Sequence, residues 1–303
     1  MPKTSLITNV GSMQLESPLI LASGILDENG YTMRRILEEG AAAVVTKSIG
    51  SNERTGFTPP VVADLGENLL NAIGLSNPGI KHFAGEISIA KGIGKPVIGS
   101  IFGATAEEFS TLASKMESYG ADAIELNLSC PHVKGFGSEV GSDPVLVEEI
   151  VTEVKAKVRV PVFAKLTPNV TDIIGIAKAA ERADALVLIN TVKAIHIDIY
   201  ARRPTLSNTY GGLSGPAIKP IGIRAVYDVY RETSKEIIGC GGISNFEDVI
   251  EYMMAGARAV EIGTALKTAG RAIFDNIKGD IIRFMEAEGI EDIQEIIGAG
   301  VKK

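Results

Sequence analysis

The sequence has few cysteines, few aromatic residues and no long apolar run, and each shortage excludes a class of protein. Its 303 residues include two cysteines, Cys130 and Cys240, which are too few for a disulfide framework or for the four thiolates of an ordinary iron–sulfur cluster. Tryptophan is absent and aromatic residues form 5% of the chain, so we expect an aliphatic core, as in a parallel sheet covered on both faces. No apolar run approaches the roughly 18 residues that span a membrane.

Acidic residues outnumber basic ones, and this balance argues against polyanionic partners. The chain carries 37 Asp and Glu against 30 Lys and Arg, a formal net charge of −7, whereas a nucleic-acid or anionic-membrane binder needs surplus cations. The three histidines, His82, His132 and His196, show no ligand spacing, so no metal site is predicted. The residues around Lys3 lack the apolar segment of a signal peptide. We therefore expect a cytoplasmic protein without nucleic-acid or membrane partners.

Eight short apolar runs alternate with amphipathic stretches and predict parallel strands separated by helices. The runs comprise residues 19–23, 42–48, 96–101, 123–129, 161–167, 185–191, 236–242 and 259–265. Helix start signals occur between them at residues 105–108, 142–144, 171–172 and 244–245. This alternation predicts an α/β fold, a (β/α)8 TIM barrel that forms a single domain over residues 1–303. An open, doubly wound sheet is the alternative, because counting repeats does not show that the sheet closes.

Two connections are much longer than a βα unit requires. They follow the predicted strands at residues 42–48 and 185–191, and long connections are uncommon unless they have a function. Because both leave the C-terminal end of a strand, we expect them to be insertions over the C-terminal face, where barrel enzymes have their active sites.

Polar residues and glycines cluster at the C-terminal ends of the predicted strands. Taken singly, a serine or an asparagine in such a position is usually a helix cap or a turn former. Lys47 and Lys165 differ, because each ends an otherwise apolar strand that points into the barrel mouth, where an unpaired ammonium group is costly. We expect these two lysines to meet an anion or an electron-rich ring.

Glycines end the seventh and eighth predicted strands and favour a phosphate site. Gly241, Gly242, Gly263 and Thr264 stand where barrel enzymes often bind phosphate through backbone N–H groups. Tight turns that need glycine are the alternative. No GxGxxG dinucleotide fingerprint follows a predicted strand, so the expected ligand is a mononucleotide.

Cys130 is the candidate catalytic base. It follows the fourth predicted strand close to Asn127, and it precedes a glycine-spaced segment, residues 135–141, that is typical of a lid. A neighbouring positive group lowers the pKa of a thiol, and His132 is either such a neighbour or an ordinary loop residue. Cys240 is interpreted as buried packing.

Several motifs together resemble the class 1 dihydroorotate dehydrogenases. They are NLSCP at residues 127–131, KLTPN at 165–169, NAIGLSNPG at 71–79 and GGLSGPAIKP at 211–220. The segment NTVKAIHID at residues 190–198, followed by Arg202, Arg203 and Pro204, is similar to the NAD-linked type B branch. The resemblance extends from about residue 18 to residue 265.

This resemblance implies an FMN cofactor across the barrel mouth. Its phosphate would contact Gly241, Gly242, Gly263 and Thr264, with Gly215 nearby. The rest of the cofactor would be lined by Ser23, Lys47, Ser48, Ser100, Asn127, Lys165 and Ile189. Lys165 would face the N1 and O2 side of the flavin ring, where a cation favours the reduced cofactor.

The resemblance also implies how dihydroorotate would bind and react. Asn71, Asn127, Asn190 and Thr191 would bond the polar edges of the pyrimidine. Its carboxylate would be held by Lys47 and by the backbone of Asn71, Ala72, Ile73, Gly74 and Leu75. Cys130 would remove a proton from C5 while C6 delivers a hydride to flavin N5.

The type B resemblance implies a partner subunit that carries FAD and an iron–sulfur cluster and passes electrons to NAD. Relatives pair as homodimers, so a heterotetramer in de novo pyrimidine biosynthesis is expected. A fumarate-linked enzyme is an alternative. A second is a uracil-type dihydropyrimidine dehydrogenase, because His132 stands where many class 1 relatives have asparagine. A sugar-phosphate isomerase or lyase that uses Lys165, and a catalytically silent scaffold barrel, are the remaining alternatives.

Overall fold

The computed structural model describes residues 4–128 and 140–302. Strands in these residues are β1 Thr8–Val10, β2 Met13–Leu15, β3 Leu19–Leu21, β4 Ala43–Val45, β5 Val62–Leu65, β6 Asn68–Asn71, β7 Val97–Ile101, β8 Ala123–Asn127, β9 Val162–Lys165, β10 Ala185–Leu188, β11 Val192–Ala194, β12 Ile197–Asp198, β13 Arg203–Pro204, β14 Gly211–Ser214, β15 Glu236–Cys240 and β16 Ala259–Ile262. Helices are α1 Gly30–Glu38, α2 Ala84–Ala90, α3 Ala106–Ser118, α4 Pro144–Lys157, α5 Ile173–Ala179, α6 Lys219–Glu232, α7 Phe246–Ala255, α8 Leu266–Ala269 and α9 Ile273–Glu288.

Eight parallel strands close into a barrel in the order β3, β4, β7, β8, β9, β10, β15, β16 and back to β3. Each of the eight apolar runs contains one of these strands, and helices lie between them. The prediction of a (β/α)8 barrel is therefore confirmed. Closure by the pairing of β16 with β3 excludes the open, doubly wound alternative.

Side-chain caps start the helices where the sequence signals predict. Thr105 accepts a hydrogen bond from the backbone N–H of Glu108 at the start of α3. Asp143, Asp172 and Asn245 cap α4, α5 and α7 in the same way. Such caps satisfy N–H groups that the first turn of a helix leaves without partners.

The N-terminal end of the barrel is filled by apolar side chains. Val10, Met13 and Leu15 come from the β1–β2 hairpin and pack with inward-facing residues of the barrel strands, among them Ile20 and Phe163. A second and larger cluster lies between the strands and the helices. Both consist mainly of aliphatic residues, with methionines, phenylalanines and, in the larger cluster, Tyr252. No helix in the described ranges is both long and apolar enough to cross a membrane.

The two long connections combine into one antiparallel sheet of four strands, in the order β11, β14, β6, β5. The connection after β4 supplies β5 and β6, and the connection after β10 supplies β11 and β14. Lys267, in α8, ties the β5–β6 turn to the barrel through an ion pair with Asp64 and a 2.7 Å hydrogen bond to the Gly66 carbonyl. The insertions thus lie over the C-terminal face, as predicted.

Candidate active site

A cavity of about 290 Å³ opens at the C-terminal ends of the barrel strands and below the inserted sheet. Most of the residues that the sequence predicts for a cofactor and substrate line it together: Ser23, Lys47, Ser48, Asn71, Ile73, Gly74, Leu75, Asn127, Lys165, Ile189, Asn190, Thr191, Gly215, Gly241, Gly242, Gly263 and Thr264. These residues come from positions as distant as 23 and 264, so barrel closure and the insertions bring them to one cavity.

Two of the other three predicted residues do not line the cavity. Ser100 is buried behind the wall, where its hydroxyl bonds Ser48 and Glu125. Ala72 is fully buried, and its backbone N–H donates to the Val61 carbonyl. Cys130 lies outside the described residues.

Two buried carboxylates flank Lys165. Its Nζ is 2.5 Å from Glu261 Oε2 and 3.5 Å from Glu125 Oε2, and both glutamate side chains are 1% exposed. The sequence predicts that Lys165 meets an anion, and this anion is supplied within the chain itself by β8 and β16. Breaking such a buried pair leaves an uncompensated charge.

Burial and mutual repulsion govern the protonation of this cluster. Burial and the neighbouring Glu261 raise the pKa of Glu125 to about 8, although Lys165 opposes the rise. Although burial alone would lower the pKa of Lys165, the two carboxylates hold it well above its ordinary value, so it stays an ammonium group. Burial raises the pKa of Cys240 to about 12. Cys240 packs against the inner apolar cluster, as the sequence predicts, and it also lines the cavity as a neutral thiol beside these charges.

A row of hydroxyl groups connects Glu125 with the cavity wall. Ser100 Oγ donates to Glu125 Oε1 at 3.0 Å, and the Ser100 and Ser48 hydroxyls are 2.9 Å apart. Ser23 Oγ is 3.4 Å from Ser48 Oγ. Asn127 Nδ2 donates to Ser48 Oγ at 3.0 Å, which fixes the position of this hydroxyl.

The glycines beside β15 and β16 leave space and donors for an anion. Gly241 and Gly242 have φ angles of 121° and 74°, which favour glycine. A Cβ at Gly263 would meet no protein atom closer than 3.5 Å, so the free space beside Gly263 belongs to the cavity. None of the hydrogen bonds among the described residues uses the backbone N–H of Gly242 or Gly263. This arrangement fits a phosphate group.

Residues of the insertions contribute polar side chains to the cavity. Asn71 Nδ2 donates to the Gly212 carbonyl at 3.3 Å, and Asn190 Oδ1 accepts from the Thr191 N–H at 2.7 Å. Leu75 has a φ of 58°, and its carbonyl accepts from Asn77 Nδ2 at 2.8 Å. These bonds fix a polar rim of the cavity.

Lys47 lines the cavity beside a buried acid, Asp27. Burial raises the pKa of Asp27, and the charge of Lys47 opposes the rise. Asp27 Oδ2 accepts from the Gly24 N–H at 2.6 Å, so this carboxyl group also orders the turn that follows β3.

Sequence reasoning missed Glu125, Glu261 and Asp27, and it interpreted Cys240 as packing. A signal was available for the two glutamates, because each interrupts an apolar barrel strand. Glu125 is two residues before Asn127, and alternate residues of a strand share a face. No comparable pattern marks Asp27. Among the described residues, no group of three His, Cys, Asp or Glu side chains is arranged to hold a metal.

The closed barrel and the cavity at its C-terminal mouth define a (β/α)8-barrel enzyme. Residues 5–285 match the family model described as Dihydroorotate dehydrogenase. A protein from Thermoplasma volcanium named Dihydroorotate dehydrogenase B (NAD(+)), catalytic subunit, is 64% identical over 296 residues, which cover 98% of each chain. The chain belongs to the dihydroorotate dehydrogenase family.

Relatives of the same name extend this result. The Pyrococcus horikoshii protein is 50% identical over 304 residues, with both chains fully covered. The Methanocaldococcus jannaschii protein is 47% identical over 304 residues, with 98% of this chain and 99% of the relative covered. The family predicted from the sequence motifs is confirmed, and the names agree with the predicted type B branch. The isomerase, lyase and scaffold alternatives are not supported.

Proposed function

We propose that this chain is the FMN-binding catalytic subunit of an NAD-linked dihydroorotate dehydrogenase, which oxidises dihydroorotate to orotate in pyrimidine biosynthesis. The observation that carries the proposal is the convergence of Lys47, Lys165, Asn127 and the glycine turns on one cavity. The names of the relatives support the substrate and the NAD link.

The cavity residues fit FMN. The N–H groups of Gly242 and Gly263, with the Thr264 hydroxyl, would bind the phosphate, because glycine lets backbone donors approach its oxygens. Lys165, held by two carboxylates, would place a positive charge beside the ring. When bound, FMN would supply the acceptor for the hydride from C6 of dihydroorotate.

The polar rim would orient the pyrimidine. The side chains of Asn71, Asn127 and Asn190 offer both donors and acceptors, which suits an imide edge, and Lys47 would pair with the carboxylate. Cys130 is proposed as the base that takes the C5 proton, which is acidic because it is α to a carbonyl. This role rests on the NLSCP motif, since Cys130 lies outside the described residues.

Electron transfer to NAD is proposed to need a second protein. The relatives are named as a catalytic subunit, and two cysteines in this chain cannot hold a four-thiolate cluster. We propose a homodimer that joins an electron-transfer subunit with FAD and an iron–sulfur cluster, as a heterotetramer. Robust NAD reduction by the purified chain alone would overturn this arrangement.

The first experiment is the visible spectrum of the purified chain, followed by mass spectrometry of the released cofactor. Flavin absorbance at one FMN per chain is expected, and a colourless protein that does not take up added FMN would contradict the proposal. Dihydroorotate and dihydrouracil are then compared with an artificial electron acceptor. Preferential oxidation of dihydrouracil would favour the uracil-type alternative, and activity with fumarate would favour a free-standing enzyme.

A further inference from the structure

The cluster below the cavity contains one more acid than base. Glu125 and Glu261 carry two carboxyl groups against the single ammonium group of Lys165, and all three residues are at most 5% exposed. An unbalanced charge is costly where water is excluded. The charge of Glu261 also opposes ionisation of Glu125, an arrangement that suits one protonated and one ionised carboxyl group. The geometry therefore places one proton on the pair.

Glu125 is the member of the pair that has a route for its proton. Lys165 faces it from β9, Glu261 from β16, Cys240 from β15 and Ser100 from β7. Glu261 forms the shorter ion pair with Lys165, at 2.5 Å. Glu125 Oε2 is farther from Lys165, at 3.5 Å, and Glu125 Oε1 bonds the hydroxyl of Ser100.

The hydroxyl row can carry a proton in either direction. With Glu125 ionised, Ser48 donates to Ser100 and Ser100 donates to Glu125 Oε1. With Glu125 protonated at Oε1, both hydroxyl bonds reverse and Ser48 donates towards Ser23. Each hydroxyl has one donor and two acceptor positions, and Asn127 donates to Ser48 in both states. Ser48 and Ser23 line the cavity, so the row ends where solvent enters.

We propose that Glu125 is a positioning residue that exchanges a proton with the cavity through Ser100 and Ser48, and that this exchange couples reduction of the cofactor to proton uptake. The proposal rests on the proposed FMN site. The two electrons come from dihydroorotate as a hydride, which adds one negative charge beside the cluster. Where Glu125 is ionised before reduction, an O–H bond of a hydronium ion breaks and an O–H bond forms on Glu125, so one proton balances that charge. It leaves again on reoxidation.

The reduction potential of bound FMN, measured as a function of pH, tests the coupling. Glu125 titrates near pH 8 in the unreduced protein, and above this pH we expect the potential to fall more steeply, by one extra proton per two electrons or about 30 mV per pH unit. The Glu125→Gln protein should lack this break, the change of slope near pH 8 in the plot of potential against pH. Ser100→Ala should move it to higher pH, because the Ser100 hydrogen bond favours ionised Glu125. An unchanged break in Glu125→Gln would overturn the proposal.

Infrared spectroscopy of flavin-free protein separates this inference from the FMN proposal. We expect a protonated carboxyl band at neutral pH that Glu125→Gln removes and that Ser100→Ala retains to higher pH. Ser110→Ala is the matched control, since Ser110 is buried in α3 and donates to the Glu107 carbonyl, away from the cavity. Failure to bind FMN would refute the proposed function, whereas absence of the band from the wild-type protein would refute the proton on Glu125.

Discussion

Thr264 Oγ1 donates a hydrogen bond to Ser214 Oγ at 2.8 Å. Thr264 follows the last barrel strand, β16, and Ser214 ends β14 of the inserted sheet. This bond joins the proposed phosphate turn to the sheet that roofs the cavity. Both residues line the cavity, so their alignment sets the shape of its phosphate end.

Ser214→Ala is expected to weaken FMN binding about 2-fold to 10-fold, which corresponds to the net value of one hydrogen bond, about 0.5–1.5 kcal/mol. Fluorescence titration of flavin-free protein with FMN measures the change. Thr268→Ala, which removes an exposed hydroxyl from α8, should leave the affinity unchanged. Equal affinity in the wild-type protein and Ser214→Ala would show that this bond does not organise the site.

Lys165→Met is expected to lower the free energy of unfolding of the flavin-free protein by about 3–5 kcal/mol, because the buried carboxyl pair of Glu125 and Glu261 loses its counter-ion. Urea denaturation at neutral pH measures this loss. Adding Glu261→Gln to Lys165→Met should recover part of it, since a buried carboxyl group that has lost its counter-ion is removed. A double variant no more stable than Lys165→Met would contradict the importance of the ion pair.

Stability is expected to fall as pH rises between 4.5 and about 8. The two limits of this pH range are the ordinary and the raised pKa of Glu125. Between them the folded state keeps a proton that the unfolded chain has released. The contribution of Glu125 to the stability is fully present below pH 4.5 and is lost as the pH rises through about 8. Glu125→Gln should flatten the dependence in urea denaturation series, with a residual slope from buried Asp27, whose pKa is also raised. An equal slope in both proteins would contradict this assignment.

Two glycine variants should separate cofactor binding from folding. Gly263→Ala places a methyl group in the cavity without a close protein contact, so FMN affinity should fall while the Tm of flavin-free protein stays unchanged. Gly242 has a φ of 74°, and its Cβ would be 2.8 Å from the Gly215 carbonyl oxygen. Gly242→Ala should therefore destabilise the fold by more than about 1 kcal/mol. A lower Tm for Gly263→Ala would contradict the cavity assignment.

Cys130→Ser should sharply reduce dihydroorotate oxidation and move the pH optimum upward, because a hydroxyl is a much weaker acid than a thiol. An unchanged pH–rate profile would remove Cys130 from the role of base. Alkylation followed by peptide mass spectrometry gives a second measurement, the reactivity of each cysteine. At neutral pH Cys240 should resist modification, since its pKa is raised to about 12 and the thiolate is the reactive form.

The local sequence contains enough information for the barrel and for most of the cavity wall. Apolar runs, caps such as Thr105 and Asp143, and the glycines after β15 and β16 all act over a few residues, so a linear pattern reveals them. Parallel strands then bring their C-terminal ends to one face by geometry alone. This is why Lys47, Asn127 and Lys165 could be assigned to one site before any contact was known.

Only the tertiary structure decided which polar groups face one another. Glu125 and Glu261 lie 40 and 96 residues from Lys165, and barrel closure determines that these three side chains meet inside it. Asn71 and Gly212 come from separate insertions, 141 residues apart, and join through strand pairing. Alternation along a strand shows which side chains turn inward, but their partners and protonation depend on distances across the barrel, because electrostatic energy depends on separation and burial.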